Sequence, residues 1–392
     1  MKKNHLIYLC AIICILNSCI RKNNSWISED VIAEFNIDDA PVYRIQHEST
    51  ELVDINDVFG TDCLDIDNLV DTMYFVPLQT TPNNVFYYIE RLIVTDDRVF
   101  LMDRNGRVLI FDSNGKFINQ LKRGQGPGEI NYNDDISYDE NSKKLVVVQT
   151  DMLLFYDKDG NYIESKVCPI LTWEFTATEW GYLFFAAKFI NYDLGEGAKY
   201  AALSTDKNGK VIGKGIGFRQ SDDLVTSFPY LYILNKRAII TEPGNDTVFE
   251  AGSSYIRAKY IFEYSKYKAD VNSQEEIMNS SKYYHSAGFM ENNKTQFIHF
   301  HSGKKGGYTV IRDKDTKKAM GAKHFMCSPE KVPMYCINIR AVYNDYFVSF
   351  MNPYNNMHFN SPLISETDNK KIANLTEEDN AVLIFFKMKE IK

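Results

Sequence analysis

The chain has little cysteine, and none of it is grouped. Seven cysteines are spread over 392 residues with no CxxC pair, which excludes a zinc ribbon and a dense disulfide scaffold. Basic charge is also short: 44 Lys and Arg against 52 Asp and Glu leave a net charge of −8. A chain this acidic offers no footprint for nucleic acid, which rewards basic patches. Beyond residue 16 no apolar run is long enough to cross a bilayer as a helix. There is no nucleophile elbow, HExxH pair or kinase signature. Neither a Walker loop nor a dinucleotide loop can be written onto its glycines.

What is present begins at the N-terminus. Lys2 and Lys3 precede LIYLCAIICIL (6–16), an apolar run too short to be a stable span and typical of a secretory leader. It closes on LNSC (16–19), which resembles a bacterial lipobox: Leu16, a small Ser18, then Cys19, with Asn17 as a departure. The chemistry this implies is acylation of the Cys19 thiol and cleavage before it. Each acyl methylene buried in lipid adds about 0.8 kcal/mol to anchoring. Residues 1–18 are then the signal peptide, 19–40 a lipidated N-terminus and tether, and 41–392 a single domain with an N-terminal extension. The mature chain loses Lys2 and Lys3 and no acid, so its charge goes from −8 to −10. No acidic run follows Cys19, which points to the outer membrane, facing the periplasm. Of the other mature cysteines, Cys327 and Cys336 flank SPEKVPMY and are the pair best placed for a bond. The alternative is four inert thiols, and the scatter of Cys63, Cys168, Cys327 and Cys336 favours it.

The chain repeats itself. VFLMDRNGRVLIFDSNGKFINQL (99–121) aligns with LVVVQTDMLLFYDKDGNYIESK (145–166), matching Asp112 and Gly115 to Asp157 and Gly160 at a step of 45 residues. LSTDKNGKVIGKG (203–215) adds Asp206 and Gly209 a further 49 on, and fainter copies follow at 244–252 and 310–321. Short Val, Ile, Phe and Tyr runs bounded by Asp-x-x-Gly are strands joined by hairpins, with Asp accepting turn amides and Gly taking positive φ. A period near 45 residues with about four strands per unit is the signature of a propeller blade. Residues 74–390 leave room for six blades, so the expected fold is an all-β six-bladed β-propeller. A short helical insertion near 272–287 is expected from Ser273 as cap, Glu275 and Glu276 in the first turn, and Gly288 as terminator. The closing run NLTEEDNAVLIFFKMK (374–389) is expected beside MYFVPLQT (73–80), which closes the ring without an exposed edge.

These residues resemble a family: the bacterial six-bladed β-propeller lipoproteins of the NHL-repeat type. The likeness rests on FVPLQTT (75–81), VLIFDSNGKFI (108–118), RGQGPGE (123–129), NDTVFE (245–250) and the closing run. Gln79 and Ala381 depart from the family's usual Glu and Pro. The resemblance implies fold and compartment, and it supplies no catalytic set.

The stretch RGQGPGE fits no phosphate loop, and Pro127 removes an amide that an anion nest would use. It reads as the connection from the outer strand of one blade to the inner strand of the next, beside the channel mouth. Arg123, Gly124, Gly126, Gly128 and Glu129 are therefore candidates for a ligand face; the alternative is that Arg123 and Glu129 pair with each other or with solvent. His299 and His301 in HFH share one strand face at a spacing that can hold zinc, with no third ligand identifiable. Trp173, Trp180, Tyr230 and Tyr232 suit either a sugar or peptide platform or a blade core, and the core is favoured. Two functions remain. One is a membrane-anchored binding or scaffold module for a glycan, peptide or partner protein, needing no cofactor. The other is a lactonase- or lyase-type propeller enzyme holding a divalent metal in its central channel, with Asp135, Glu174, Asp246 and His301 as donors to hand. Three such side chains converging on the axis would favour the second.

Overall fold

The computed structural model describes residues 29–131, 133–186, 191, 194–218, 229–269, 274–326 and 338–392. Cys19, Ser273, Cys327 and Cys336 lie outside the described residues. Six blades of four antiparallel strands form a ring, as expected from the repeat, and the sheet of blade 4 is extended to six strands by two from the N-terminal segment. Blade 1 runs, from the axis outward, through Ile89–Val94, Arg98–Asp103, Val108–Asp112 and Phe117–Gln120. Blade 2 is Asp135–Asp139, Lys144–Gln149, Met152–Tyr156 and Tyr162–Val167, and blade 3 is Thr172–Ala177, Gly181–Ala186, Tyr200–Asp206 and Val211–Gly217. Blade 4 is Leu231–Leu234, Arg237–Ile240, Thr247–Ala251 and Ile256–Glu263. Blade 5 is Tyr284–Glu291, Thr295–Ser302, Gly306–Asp313 and Ala319–Ala322. Blade 6 takes Ala341–Tyr343, Tyr346–Met351 and Val382–Met388 from the end of the chain and its outermost strand, Val70–Pro77, from the beginning. The closing run thus pairs as the sequence predicts, with Ile384 opposite Phe75.

Each blade is apolar on both faces because it has a neighbour on both. In Lys144–Gln149, Leu145 and Val147 point into the cluster shared with blade 1, and Val146 and Val148 into the one shared with blade 3. The two-residue period of a strand makes this division automatic. Six apolar clusters fill the six interfaces, which at ~25 cal/mol per Å² of apolar area are the main source of stability.

The repeated Asp-x-x-Gly turns join the third and fourth strands of blades 1 to 3. Asp112 Oδ1 accepts from the amides of Asn114 (2.9 Å) and Lys116 (2.8 Å), and Asp157 and Asp206 repeat the pattern. Gly115 has φ +83°, and a Cβ there would fall 2.2 Å from Pro77 O, at the end of the preceding blade's outermost strand. Gly160 likewise abuts Ile110 and Leu121 of blade 1. The glycine therefore serves contact between blades as well as the turn. The copy at 310–321 holds a turn one residue longer at the same place in blade 5, where Asp313 accepts the amides of Asp315 and Thr316 and Lys317 takes φ +62°. The copy at 244–252 is out of phase and falls on the turn before the third strand of blade 4 and that strand itself.

The helical insertion is present but occupies only Gln274–Asn279. Tyr284–Glu291, including Gly288, is the innermost strand of blade 5, with an irregularity between His285 and Phe289. Residues 29–66 form a strap on the outside of the ring. The helix Glu29–Glu34 and buried Phe35 and Ile37 pack between blades 2 and 3. Ile45–Gln46 and Glu51–Asp54 then run parallel to Ile256–Glu263, and Cys63–Asp65 parallel to His324–Met326. Cys168 is buried and inert, its thiol pushed up to about 12 by burial, while Cys63 is exposed.

Candidate functional site

The innermost strands all enter the ring at the same end of the channel. Near that end, Arg91 on blade 1 meets Asp135 on blade 2 at 3.4 Å and Glu174 on blade 3 at 3.0 Å. The acids hold further partners. Asp135 Oδ2 accepts from the Phe175 amide at 2.9 Å, and Glu174 Oε2 accepts from the amides of Tyr230 and Leu231, each at 3.0 Å, at the start of blade 4. Three side chains thereby tie four blades together. Burial pushes both carboxyls above their ordinary range, with the Arg91 charge pulling the other way. One guanidinium between two buried carboxylates leaves an excess negative charge, which favours uptake of a proton.

Below this cluster the channel holds a cavity of ≈ 230 Å³, with Arg91, Ser137, Thr176, Tyr232, Met290 and Arg340 in its wall. Arg340 donates to Tyr88 Oη at 2.6 Å, and its guanidinium lies 5.2 Å from the Tyr88 ring centre. At the entry end, Trp173 is the extra residue of a bulge between Thr172 and Glu174 and is 52% exposed. Thr172 Oγ1 fixes the bulge by donating to Phe185 O at 2.7 Å. Bulges re-aim side chains in this way. Tyr87, two residues before the innermost strand of blade 1, is exposed at the same end. The favoured core assignment holds for Tyr230, stacked on Phe185 at 5.3 Å, and not for Trp173.

Of the channel donors considered from sequence, Asp135 and Glu174 come together, but around Arg91. Asp246 lies in a turn of blade 4, paired with Lys268 and Tyr264. His301 and His299 sit on the second strand of blade 5, with His299 Nδ1 2.8 Å from Thr309 Oγ1 and His301 edge-on to Tyr284. Among the described residues no three His, Cys, Asp or Glu side chains form a group able to hold a metal ion.

The RGQGPGE loop does connect the outer strand of blade 1 to the inner strand of blade 2. Glu129 turns back to accept the Gly126 amide at 3.0 Å, across a space that a Cβ on Gly124 would fill. Gly128, at φ +71°, lies under the Tyr162 ring, where a Cβ would come within 2.3 Å. Arg123 is exposed and donates to Asn131 O at 3.3 Å. The loop therefore lies at the outer rim against blade 2, away from the channel cluster. Arg91, which organises that cluster, is missed by sequence reasoning because its partners are 44 and 83 positions away and carry no local motif.

A crystal structure of a Bacteroides fragilis protein described as exported shares this fold, with TM-score 0.64 and 15% identity over 86% of this chain and 100% of that one. BamB from Moraxella catarrhalis is a looser likeness, with TM-score 0.41 and 9% identity over 63% of this chain and 66% of that one. Among curated proteins there is no match. The family model described as a domain of unknown function, DUF4934, covers residues 50–387, and the chain belongs to that family.

Proposed function

We propose that this protein is an extracytoplasmic binding or scaffold propeller, lipid-anchored through Cys19 on the periplasmic side of the outer membrane. In this reading it takes a glycan, peptide or partner protein at the entry end of its channel. The leader and LNSC support export and anchoring, and the exported description of the Bacteroides fragilis neighbour is in keeping with them. The observation that carries the binding reading is the make-up of the channel end: Trp173 stands exposed beside an Arg91–Asp135–Glu174 cluster whose charges are already engaged. An exposed aromatic held by a bulge supplies contact area at low entropic cost.

The rival metal-dependent lactonase or lyase fits the residues poorly. The place a cation would take between Asp135 and Glu174 is held by a guanidinium, and among the described residues no third His, Cys, Asp or Glu joins them in a group able to hold a metal. Thermal unfolding of the mature chain carrying Cys19→Ser separates the two. EDTA-treated protein and protein in excess calcium or zinc are expected to melt together. A metal at 100 times its dissociation constant would add about 2.7 kcal/mol and overturn this reading. Glycan and peptide arrays probed with wild type and with Tyr87→Ala/Trp173→Ala are expected to lose their signal in the variant; equal signals would move the site elsewhere.

A further inference from the structure

Ten large apolar side chains are exposed among the described residues, and five of them share one side of the ring. Among the described residues, Val42, Leu52, Tyr162, Ile163 and Val167 lie on the outer rim of blades 2 to 4. Ile163 and Val167 are 46% and 49% exposed on the outermost strand of blade 2. That strand carries no fifth strand, whereas the strap covers the equivalent edge of blade 4. Basic side chains line the open strand, with the acids Glu29, Asp30 and Glu34 on the helix at the neighbouring side of the sector. Lys166 lies on the strand itself and donates to Lys207 O at 3.3 Å. Lys207 and Lys210 belong to the turn of blade 3 that abuts Val167 through Gly209. Lys122 and Arg123 are exposed on the loop that packs on Tyr162. The acid of the strand, Glu164, is paired with Lys144 at 3.0 Å.

The start of the described chain lies on this same sector. Val31 and Ile32 of the helix Glu29–Glu34 pack on the cluster between blades 2 and 3, and Phe35 O accepts the Val211 amide at 2.8 Å. Nine residues lie between Cys19 and Glu29, ten steps of chain that reach at most about 33–36 Å when fully extended. An anchor at Cys19 therefore keeps this rim closer to the bilayer than the opposite one. Lysine and arginine beside exposed Tyr, Ile and Val is the composition that settles at a headgroup layer, with aliphatic stems and rings at the boundary and charges toward anionic lipid.

We propose that the outer edge of blade 2, with Tyr162, Ile163, Val167 and the lysines around them, seats on the headgroup layer of the membrane that carries the anchor. The propeller then stands on its rim, with the entry end of the channel facing sideways into the periplasm. This rests on the acylation of Cys19 proposed above, so the test restores the tether without it. The chain from residue 20 onward, carrying an N-terminal histidine tag, is captured on phosphatidylglycerol-containing vesicles with nickel-chelating lipid. Hydrogen exchange of residues 162–167 and 207–210 is then compared with that of the free protein. Exchange is expected to slow by about tenfold or more on these vesicles. The effect should weaken with added salt and disappear in Ile163→Ser/Lys166→Glu/Val167→Ser, whose thermal midpoint confirms that it is folded. No slowing on any vesicle would overturn the proposal. Slowing in the free protein that grows with its concentration would do so too, assigning the edge to a second copy of the chain. The acylation reading stands or falls separately, on the mass of the Cys19 peptide from cells.

Discussion

Two buried acids in this ring meet opposite fates. Glu174, at the channel end, shares the single cation Arg91 with Asp135, and burial raises its carboxyl. Glu291, at the end of the innermost strand of blade 5, is buried more completely, yet its carboxyl is lowered. Burial pushes it up, but Lys259 at 2.6 Å and Lys314 at 2.9 Å outweigh that, and Tyr260 donates to it at 2.9 Å. The ratio of cations to carboxylates decides the direction, since burial acts upward at both sites. One cation for two acids leaves a proton-hungry site; two cations on Glu291, one of them also 3.6 Å from Glu250, hold a charged strut between blades 4 and 5.

That difference can be broken at three points. The largest effect is expected from Arg91→Met, which leaves two buried carboxylates without a cation. Urea unfolding at neutral pH should record a loss of about 3–5 kcal/mol, shrinking in acid as the pair takes up protons. Lys259→Met is milder, because Lys314 and Tyr260 remain; a loss of about 1–3 kcal/mol is expected by the same measurement. The wild-type strut contributes above the ordinary glutamate range and is lost as pH falls through the lowered folded value of Glu291, so this variant should show a shallower acid limb. Glu174→Gln is the smallest change, since the amide oxygen still accepts from Tyr230 and Leu231. Glu174 has a raised folded value, so the stability it gives is complete below the ordinary glutamate range and fades as pH rises through that raised value. The variant should remove this decline, gaining about 1 kcal/mol at neutral pH relative to acid in a pH series of unfolding midpoints. A decline as steep as in the wild type would mean that Asp135 carries the titration.

The blades themselves were legible because their signals are local. Asp112, Asp157 and Asp206 hold their turns through amides two and four residues on, and such a motif survives without knowledge of neighbours. The strap was not legible. Glu51–Asp54 pairs with Ile256–Glu263, some two hundred residues away, and nothing within the strap specifies a parallel partner. Trp173 was assigned to the core because aromatics abound in this chain and blade cores need them, and a single bulged residue puts it in solvent instead.

The amino-acid sequence by itself determined the number of blades and the closing pair of strands, because turn chemistry and strand periodicity act over a few residues. Tertiary structure alone decided which charges meet at the axis, which rim is left uncovered and where the chain enters that rim. Those outcomes depend on distances between blades, and a ring brings together residues that lie far apart along the chain.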